Sequence, residues 1–367
     1  MSDIDTRLRN LETRTDEAIG IPLWLQKNYT EPRVNYTLRD LIQPGWTCFD
    51  VGANFGGLTM TMSRLAGPRG VVCGFEANPV IAAKCQRELL RSGAFTAQLY
   101  QGAIFKRSGE TIELYLSDNA VADSIYRKTD TSISVQTIAL DDFVMRTRLS
   151  PQIVKMDIEG AEFDALCGFD QTINTARPIF ILEHTPPDNA CFDFLRAKGY
   201  VAIDLQNYRR LHSGSDVLDG TVVTDVLYAH EDQLIGSPYA GDLSPVEQVR
   251  LDASDFSWAQ PNLYRSRSLD LQPGRYLGQL VFRASGSHNT MCGVWQDGAN
   301  APVMRVHSTS SGLVGFARNT VFDLDHGPAH VFFHFLEETD ASLAIESITL
   351  HRIPGFDAHR EKFSITS

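Results

Sequence analysis

The sequence predicts an α/β domain with a mostly parallel sheet, followed by an all-β domain that resembles a sandwich. Three observations lead to this fold class. Strand-like and helix-like stretches alternate from about Trp46 onward, which is typical of a parallel sheet with helices on both faces. The run IGSPYAGDLSP, at about residues 235–245, collects turn-forming residues and indicates a linker. Beyond it, short β-rich runs are separated by turn residues without helical periodicity.

Length and composition exclude several classes of protein. The chain has 367 residues, more than one hydrophobic core usually organises, which favours two domains. Hydrophobic residues make up 43% and charged residues 21%, so the chain is neither disordered nor of low complexity. Its formal net charge of −12 repels phosphate backbones, and we therefore expect no nucleic-acid partner.

The sequence also carries expectations about cellular location. No apolar run approaches the ~18 residues that a membrane-spanning helix needs. The N-terminal residues contain no apolar stretch typical of a signal peptide. The six cysteines are scattered without a CxxC pair and are expected to be reduced. We therefore predict a cytoplasmic protein without a membrane span.

We predict three segments along the chain. They are an N-terminal helical segment (1–45), the α/β domain (46–235) and a β-sandwich-like accessory domain (245–355). In the first, Ile4, Leu8, Leu11 and Ala18 form a short apolar stripe at helical spacing. Such a helix either packs on its own domain or is completed by a second chain. A homo-oligomer formed through this helix or through the C-terminal domain is therefore an open alternative.

The α/β domain is expected to contain about seven strands, which the apolar runs mark. Helical periodicity predicts helices at 58–65, 79–91 and 190–198. Two inserted strand-like stretches, at 111–116 and 132–138, interrupt the alternation. These bounds predict a sheet that carries one small insertion.

A glycine-rich turn follows the first strand of this domain. Asp50, Gly52 and Gly56 form a D-x-G-x-x-x-G pattern, in which glycine allows a sharp turn and the close approach of a ligand. The spacing differs from G-x-G-x-x-G, the dinucleotide fingerprint that seats a pyrophosphate. Twenty residues after Gly56, Glu76 ends the second strand, where a carboxylate can accept both ribose hydroxyl hydrogens. The combination predicts an adenosine with an unphosphorylated cationic tail, which is S-adenosylmethionine.

Four motifs resemble those of the FkbM family of S-adenosylmethionine-dependent methyltransferases; in order, they are FDVGANFG, FEANP, VKMDIEGAEFDAL and ILEHTP. The resemblance covers about residues 48–204 and leaves 241–367 outside. It implies the class I methyltransferase fold, a Rossmann-like, seven-stranded sheet whose last strand is antiparallel. It also implies O-methylation of sugar hydroxyls on glycans, glycolipids or natural products. Some relatives instead methylate nitrogen, including peptide side-chain amides.

The resemblance also implies which residues bind the cofactor. These are Asp50, Gly52, Ala53, Asn54 and Gly56 for the methionine part, Glu76 and Asn78 for the ribose, Gly102, Ala103 and Ile104 for the adenine, and, from a looser match, Asp123 and Ser124.

Three side chains are candidates for catalysis. A sugar hydroxyl is a poor nucleophile at neutral pH, so we expect a base at the carboxyl ends of the fourth and fifth strands. Asp157 is the first choice for a residue that faces the methyl group, with capping of the following helix as its structural alternative. Glu159 either binds substrate or stabilises the helix start, and His184 has a pKa suited to a base. Glu162 is expected to be a solvated helix residue or an ion-pair partner.

The sequence leaves three questions open. Asp157, Glu159 and Glu183 could hold Mg²⁺, but no ligand spacing supports this, so the predicted metal ligands are none. The aromatic residues of the second domain either form its core or stack on sugar rings. The leading hypothesis is a methyltransferase with a sugar or glycan acceptor. Its alternatives are N-methylation of a peptide amide or amine, and a non-catalytic glycan-binding or scaffold protein.

Overall fold

The computed structural model describes residues 15–16, 21–22, 31–117, 123–184, 189–217, 224–260, 263–285, 287–297, 303–311, 314–324, 328–335 and 342–356. The chain divides into two compact units. The described residues within 31–205 and 209–240 form the first unit, and residues 15–16, 21–22, 206–208 and the described residues from 241 onward form the second. All six cysteines are free thiols. Within these ranges, no helix has the length and apolar character that crossing a membrane requires.

The predicted N-terminal helix is only partly covered by the described residues. The four residues of its apolar stripe lie outside them. At the start of the described chain, Thr15–Asp16 (β1) pairs antiparallel with Ile21–Pro22 (β2), so these positions are strands and not helix. The first described helix, α1, spans Pro32–Leu41 and buries Val34 and Leu38 on one face.

The first unit alternates strands with helices. Its strands are β3 (Thr47–Val51), β4 (Val71–Glu76), β5 (Ala97–Gln101), β6 (Ala103–Ile104), β7 (Thr111–Tyr115), β8 (Ser132–Ile138), β9 (Ile153–Met156), β10 (Ile179–His184), β11 (Val201–Asp204), β12 (Arg209–Leu211) and β13 (Thr224–Ala229). Its further helices are α2 (Gly57–Ala66), α3 (Pro79–Arg91), α4 (Leu140–Thr147), α5 (Glu162–Cys167), α6 (Asp170–Ala176), α7 (Ala190–Ala197), α8 (Gly214–Val217) and α9 (Glu231–Leu234). The helix predicted at 79–91 is confirmed at both ends. At its start, the Asn78 side chain caps the helix and Pro79 is the first helical residue.

The main sheet has the order β12-β11-β13-β10-β9-β3-β4-β5. Strands β5, β4, β3, β9 and β10 are parallel to one another, and β13 runs antiparallel between β10 and β11. The predicted mostly parallel, Rossmann-like sheet with a reversed last strand is therefore confirmed. The predicted number of seven strands is wrong by one, because the short strand β12 pairs with β11 and adds an eighth at the edge.

The core of this unit lies on both faces of the sheet. Phe49 on β3 and Phe75 on β4 contact each other and Phe143 of α4 with ring centroids 5.0–5.6 Å apart. Such continuous apolar strands are typical of a parallel sheet covered by helices. The inserted strands form a separate sheet, β6-β8-β7. Because β3, β4, β9 and β10 are parallel, their carboxyl ends meet at one edge.

The second unit is built from antiparallel strands. They are β14 (Val246–Leu251), β15 (Phe256–Gln260), β16 (Leu263–Ser266), β17 (Gly274–Ser285), β18 (Ser287–Gln296), β19 (Met304–Ser311), β20 (Val314–Leu324), β21 (Ala329–Phe335) and β22 (Ser342–Ile353). They form the sheets β14-β22-β17-β20 and β15-β16-β21-β18-β19. Both sheets contribute to one hydrophobic core, in which Phe282 and Phe333 lie 5.1 Å apart between ring centroids. Tyr276 belongs to this core, whereas Trp258 is 60% exposed.

Candidate active site

A cavity of about 510 Å³ lies where the main-sheet strands β3, β4, β9 and β10 end. Its volume falls within the roughly 300–1,000 Å³ of small-molecule sites. The described residues that line it are Glu31, Asp50–Phe55, Gly57, Leu58, Phe75–Ala77, Gly102–Ile104, Leu114, Asp123, Ile125, Lys155, Asp157–Glu159, Ala161 and Glu183. Most of the predicted cofactor residues are therefore brought together here.

The glycine turn after β3 is required by packing as well as by the cavity. Gly52 has φ +83°, and a Cβ at this position would lie 1.9 Å from the backbone oxygen of Asp157. The ends of β3 and β9 approach so closely that no other residue fits. Gly56 has φ +86°, and a Cβ there would lie 2.8 Å from Cys85 Sγ on α3. Gly56 is not among the residues that line the cavity, and it shapes the turn against α3; its predicted contact with the cofactor stays a prediction.

Asp50 lies at the floor of the cavity, next to Ala53 and Asn54. It is 1% exposed, and its Oδ2 accepts a hydrogen bond from the Thr59 hydroxyl. Its Oδ1 has no hydrogen-bond donor among the described residues. Burial raises the pKa of the Asp50 carboxyl to about 6, although the nearby Lys155 ammonium opposes this. A buried acceptor without a donor points to a bound molecule that supplies one.

Glu76 is held at the end of β4 by two backbone donors. Its Oε2 accepts from the Asn54 N–H at 2.9 Å, and its Oε1 accepts from the Asn78 N–H at 2.8 Å. Burial raises the pKa of this carboxyl. Asn78 does not line the cavity, contrary to its predicted place beside the ribose: its Oδ1 caps α3, and its Nδ2 donates to Asp123 at 2.8 Å. Asn78 thus positions Asp123, which does line the cavity.

The predicted adenine loop lines the cavity as a unit. Gly102, Ala103 and Ile104 lie beside Leu114 and Ile125 of the inserted sheet and its following segment, which makes this end apolar. Ser124 is 1% exposed and donates its hydroxyl to the Glu159 backbone oxygen at 2.7 Å. It does not line the cavity, and its predicted cofactor contact stays a prediction. Its bond secures the loop after β9.

Another part of the lining, the wall, consists of ionisable side chains. The pairing of Met156 with Leu182 places Asp157 beside Glu183 on the neighbouring strand. Lys155, which is 3% exposed, donates to Asp157 Oδ2 at 3.0 Å and lies 3.9 Å from Glu31 Oε2. The wall therefore combines strand ends with the residue before α1.

These groups shift each other's pKa values. Burial alone would raise the pKa of Asp157, but the Lys155 ammonium and a hydrogen bond with Glu183 outweigh it and hold that pKa below its usual range. Burial and the Asp157 carboxylate raise the pKa of Glu183 to about 10. Burial disfavours the charged form of Lys155, yet Asp157 and Glu31 keep its pKa well above the ordinary value. At neutral pH, Asp157 is thus an anion between an ammonium and a protonated carboxyl.

Glu159 and its neighbours bear on metal binding. Glu159 has φ +55°, lines the cavity and pairs with Arg127 at 3.1 Å. Its carboxylate and those of Asp157 and Glu183 offer oxygens that lie within 4.8 Å of one another, close enough for a divalent cation. Lys155 already brings a fixed positive charge to Asp157. We therefore derive no chemistry from a metal here.

His184 does not join the cavity, although it is a predicted catalytic residue. Successive strand residues face opposite sides of a sheet, so Glu183 lines the cavity while His184 points to the other side. His184 is 3% exposed, and its Nε2 shares a hydrogen bond with the Tyr228 hydroxyl at 2.7 Å. The general-base role of His184 stays a prediction that this placement does not support. Glu183 takes its place at the site.

Glu162 is buried, contrary to the expected solvated residue. It is 7% exposed, and its carboxylate accepts from the Ile158 N–H at 2.8 Å and the Gly160 N–H at 3.0 Å. Burial raises the pKa of Glu162 to about 7. The side chain folds back over the turn before α5 and fixes the loop that carries Asp157.

This buried carboxyl predicts a pH dependence of stability. The pKa of Glu162 is about 7 in the folded state, against about 4.3 unfolded, so the folded chain binds more protons between these values. Its contribution to the free energy of unfolding is therefore present below about pH 4 and is lost as pH rises to about 7. We expect the free energy of unfolding of Glu162→Gln to lack this decrease between about pH 4 and pH 7. Urea unfolding at a series of pH values measures it. The control is Glu88→Gln on α3, which pairs with Arg91 at 3.0 Å outside the cavity; identical slopes in wild type and Glu162→Gln contradict the prediction.

Sequence reasoning missed Lys155 and Glu31 as parts of the site. Lys155 stands two residues before Asp157, so on a strand both face the same side, a signal that was present in IVKMD. Glu31 carries no such signal, because only the packing of α1 brings it to the cavity.

The reversed strand β13, the glycine turn after β3 and the cavity at the strand ends define a Rossmann-like fold of the class I methyltransferase type. Residues 50–202 match the family model described as Methyltransferase FkbM domain. The match confirms, over this segment, the resemblance to the FkbM family seen in the sequence.

Individual relatives are more distant. The chain is 26% identical over 159 residues to the 2-O-methyltransferase NoeI of Sinorhizobium fredii, covering 38% of this chain and 64% of NoeI. Among solved structures, a methyltransferase FkbM from Methylobacillus flagellatus has 15% identity and a TM-score of 0.36, covering 61% of this chain and 58% of that one. Fibrillarin of Aeropyrum pernix with natively bound S-adenosyl-L-methionine has 12% identity and a TM-score of 0.34, covering 55% and 75%. The chain thus spans less than two thirds of its curated relative.

Proposed function

We propose that the first unit binds S-adenosylmethionine and transfers its methyl group to a sugar hydroxyl of a glycan, glycolipid or glycosylated metabolite. The match of residues 50–202 to the FkbM domain supports methyl transfer. The proposal of a sugar acceptor has weaker support. It depends on the similarity of about two fifths of the chain to a 2-O-methyltransferase. That likeness favours oxygen over nitrogen as the methylated atom.

The charge of the cavity is the observation that best supports S-adenosylmethionine as the cofactor. Among the described residues, the lining holds the carboxylates of Glu31, Asp50, Glu76, Asp123, Asp157 and Glu159, together with Glu183, which is protonated at neutral pH, against one cation, Lys155. S-adenosylmethionine carries a sulfonium and an ammonium, which such a lining attracts. A dinucleotide would bring a pyrophosphate into the same field and would be repelled. The lining therefore supports S-adenosylmethionine over a nicotinamide cofactor.

Individual residues fit the parts of this cofactor. Asp50 Oδ1, buried and without a donor, suits the ammonium of the methionine part, beside Gly52–Asn54. Glu76, already oriented by two backbone N–H groups, keeps free lone pairs for ribose hydroxyls. The apolar end formed by Gly102–Ile104, Leu114 and Ile125 suits an adenine ring. When bound, the cofactor supplies an activated methyl group on sulfur.

The chain's own residues then have two tasks. They must align the acceptor hydroxyl with the methyl group, and positioning of this kind supplies several kcal/mol of rate. They must also accept the hydroxyl proton, and Asp157 is the anion at the wall that can do so. Lys155 holds this carboxylate at 3.0 Å and keeps it ionised. For the second unit we propose the accessory role predicted for 245–355, holding or selecting the acceptor.

Two other functions can be separated from this one. N-methylation of a peptide amide or amine predicts methylated peptides when glycan and peptide pools compete and the products are read by mass spectrometry. A non-catalytic glycan-binding or scaffold protein predicts no methylated product in either pool. Methylated glycans are the result expected here.

Cofactor binding provides the direct test. We expect micromolar binding of S-adenosylmethionine and S-adenosylhomocysteine by calorimetry. We expect Glu76→Gln to weaken both by about 10- to 100-fold, because one charge-assisted ribose bond is lost. Glu88→Gln makes the same charge change outside the cavity and should leave both affinities unchanged. Failure of the wild-type protein to bind either compound overturns the proposed function, and unchanged affinity in Glu76→Gln overturns the ribose assignment alone.

A further inference from the structure

The wall is rich in carboxyl groups, of which that of Glu183 is protonated at neutral pH. It contains Asp157 and Glu159, which follow β9, Glu183 on β10 and Glu31, which precedes α1. Oxygens of the first three lie within 4.8 Å of one another. Lys155 links Asp157 at 3.0 Å to Glu31 at 3.9 Å. The acceptor is placed against this wall because Asp157, the proposed base, belongs to it.

The described residues of this wall offer no unmatched positive charge to an anionic acceptor. Among the described lining residues, Lys155 is the only cation, and its ammonium is already matched by Asp157 and Glu31. Arg127, next to the wall, pairs with Glu159 at 3.1 Å. A phosphate, sulfate or carboxylate brought here would be desolvated beside like charges without a counter-charge. The wall therefore rejects anions.

Two buried oxygens of the cavity call for hydrogen-bond donors. Asp50 Oδ1, on a side chain that is 1% exposed, and Glu31 Oε2 have no hydrogen bond to the described residues. Buried acceptors in folded proteins are nearly always hydrogen-bonded, so bound molecules must supply the donors. The cofactor's ammonium suits Asp50. A hydroxyl group of the acceptor suits Glu31.

We propose that the acceptor is a neutral sugar, without a phosphate, sulfate or carboxylate group near the methylated hydroxyl, and that Glu31 is a residue that selects it. This inference rests on the proposed function and specifies its acceptor. Glu31 lies before residues 50–202, the segment that matches the family model. Selection by Glu31 is therefore carried by a part of the chain outside the matched domain.

The test uses the full-length protein and matched acceptors. Neutral oligosaccharides are compared with the same sugars carrying a phosphate or oxidised to uronic acids, and methyl transfer from labelled S-adenosylmethionine is measured. We expect kcat/KM for the neutral sugars to exceed that for their anionic counterparts by about 100-fold or more.

Variants of Glu31 test whether the wall causes this preference for neutral sugars. In Glu31→Gln, which keeps the shape and removes the charge, we expect the ratio of neutral to anionic kcat/KM to fall by about tenfold. Glu31→Lys should lower it further. Glu88→Gln, with the same charge change outside the cavity, should keep the wild-type ratio. Cofactor affinity, measured without acceptor, should stay unchanged in Glu88→Gln. The ratio is measured at saturating S-adenosylmethionine, so that a change of cofactor affinity in the Glu31 variants does not enter it.

Each outcome separates the two proposals. Equal or better turnover of anionic sugars overturns this inference alone, and so does an unchanged ratio in both Glu31 variants. Methylation of no sugar of either kind, while S-adenosylmethionine binds, overturns the sugar acceptor and this inference with it. Absence of cofactor binding overturns the proposed function itself.

Discussion

Gly52→Ala is expected to abolish binding of S-adenosylmethionine and to lower the free energy of unfolding by about 3 kcal/mol or more. Two costs combine at this position. The φ of +83° is strained for any residue with a Cβ, and that Cβ would lie 1.9 Å from the Asp157 backbone oxygen. The ends of β3 and β9 would have to separate, and the floor of the cavity runs between them. Urea unfolding measures the first effect and calorimetry the second.

Gly45→Ala is the matched control for this change. Gly45 has a similar φ of +92°, but a Cβ there would meet nothing within 4 Å. We expect it to cost only the backbone strain, about 1–2 kcal/mol, and to leave cofactor binding intact. If Gly52→Ala lowers the free energy of unfolding no more than Gly45→Ala and still binds the cofactor, the prediction based on the close approach of the two strand ends is wrong.

Asp157→Asn is expected to lower methyl transfer by about 10²- to 10⁴-fold while cofactor affinity changes little. The amide keeps an oxygen for Lys155 and removes the negative charge that accepts the hydroxyl proton. Steady-state kinetics with a methylated acceptor, beside calorimetry of S-adenosylmethionine binding, separates the two effects.

Asp164→Asn is the control for this variant, because Asp164 follows the same loop, pairs with Lys106 at 3.3 Å and does not line the cavity. We expect its turnover to match that of the wild-type protein. Wild-type turnover in Asp157→Asn would remove Asp157 from the catalytic groups. A loss of cofactor binding equal to the loss of turnover would instead assign Asp157 to the cofactor site.

The sequence was sufficient for much of the fold. The alternation of apolar runs with stretches of 3.6-residue periodicity predicts the parallel sheet, and the same periodicity predicts α3 at 79–91. These features are local, so each can be recognised in a stretch of about 15 residues. The short strand β12, with only Arg209–Leu211, has too little pattern to be seen in this way and exists because β11 offers it a partner.

The positions at the cavity were harder to predict. Strand β10 is buried on both faces, so its sequence does not show which of Glu183 and His184 faces a ligand. Asn78 and Ser124 belong to the right segments, but their side chains are occupied by a helix cap and a loop bond. Polar residues near a site often hold its loops and helices in place instead of contacting the ligand. This structural role is recognised only when their hydrogen-bond partners are known.

The sequence by itself determined the order of strands and helices, the D-x-G-x-x-x-G turn and the acids Glu76 and Asp157 at strand ends, because these follow from local periodicity and spacing. Only the tertiary structure decided that Lys155 neutralises Asp157, that Glu183 faces the cavity and that Glu31 reaches it from α1. The reason is physical: charge pairing and burial depend on distances between side chains that are as many as 152 residues apart in the chain, from Glu31 to Glu183, and those distances arise only on folding.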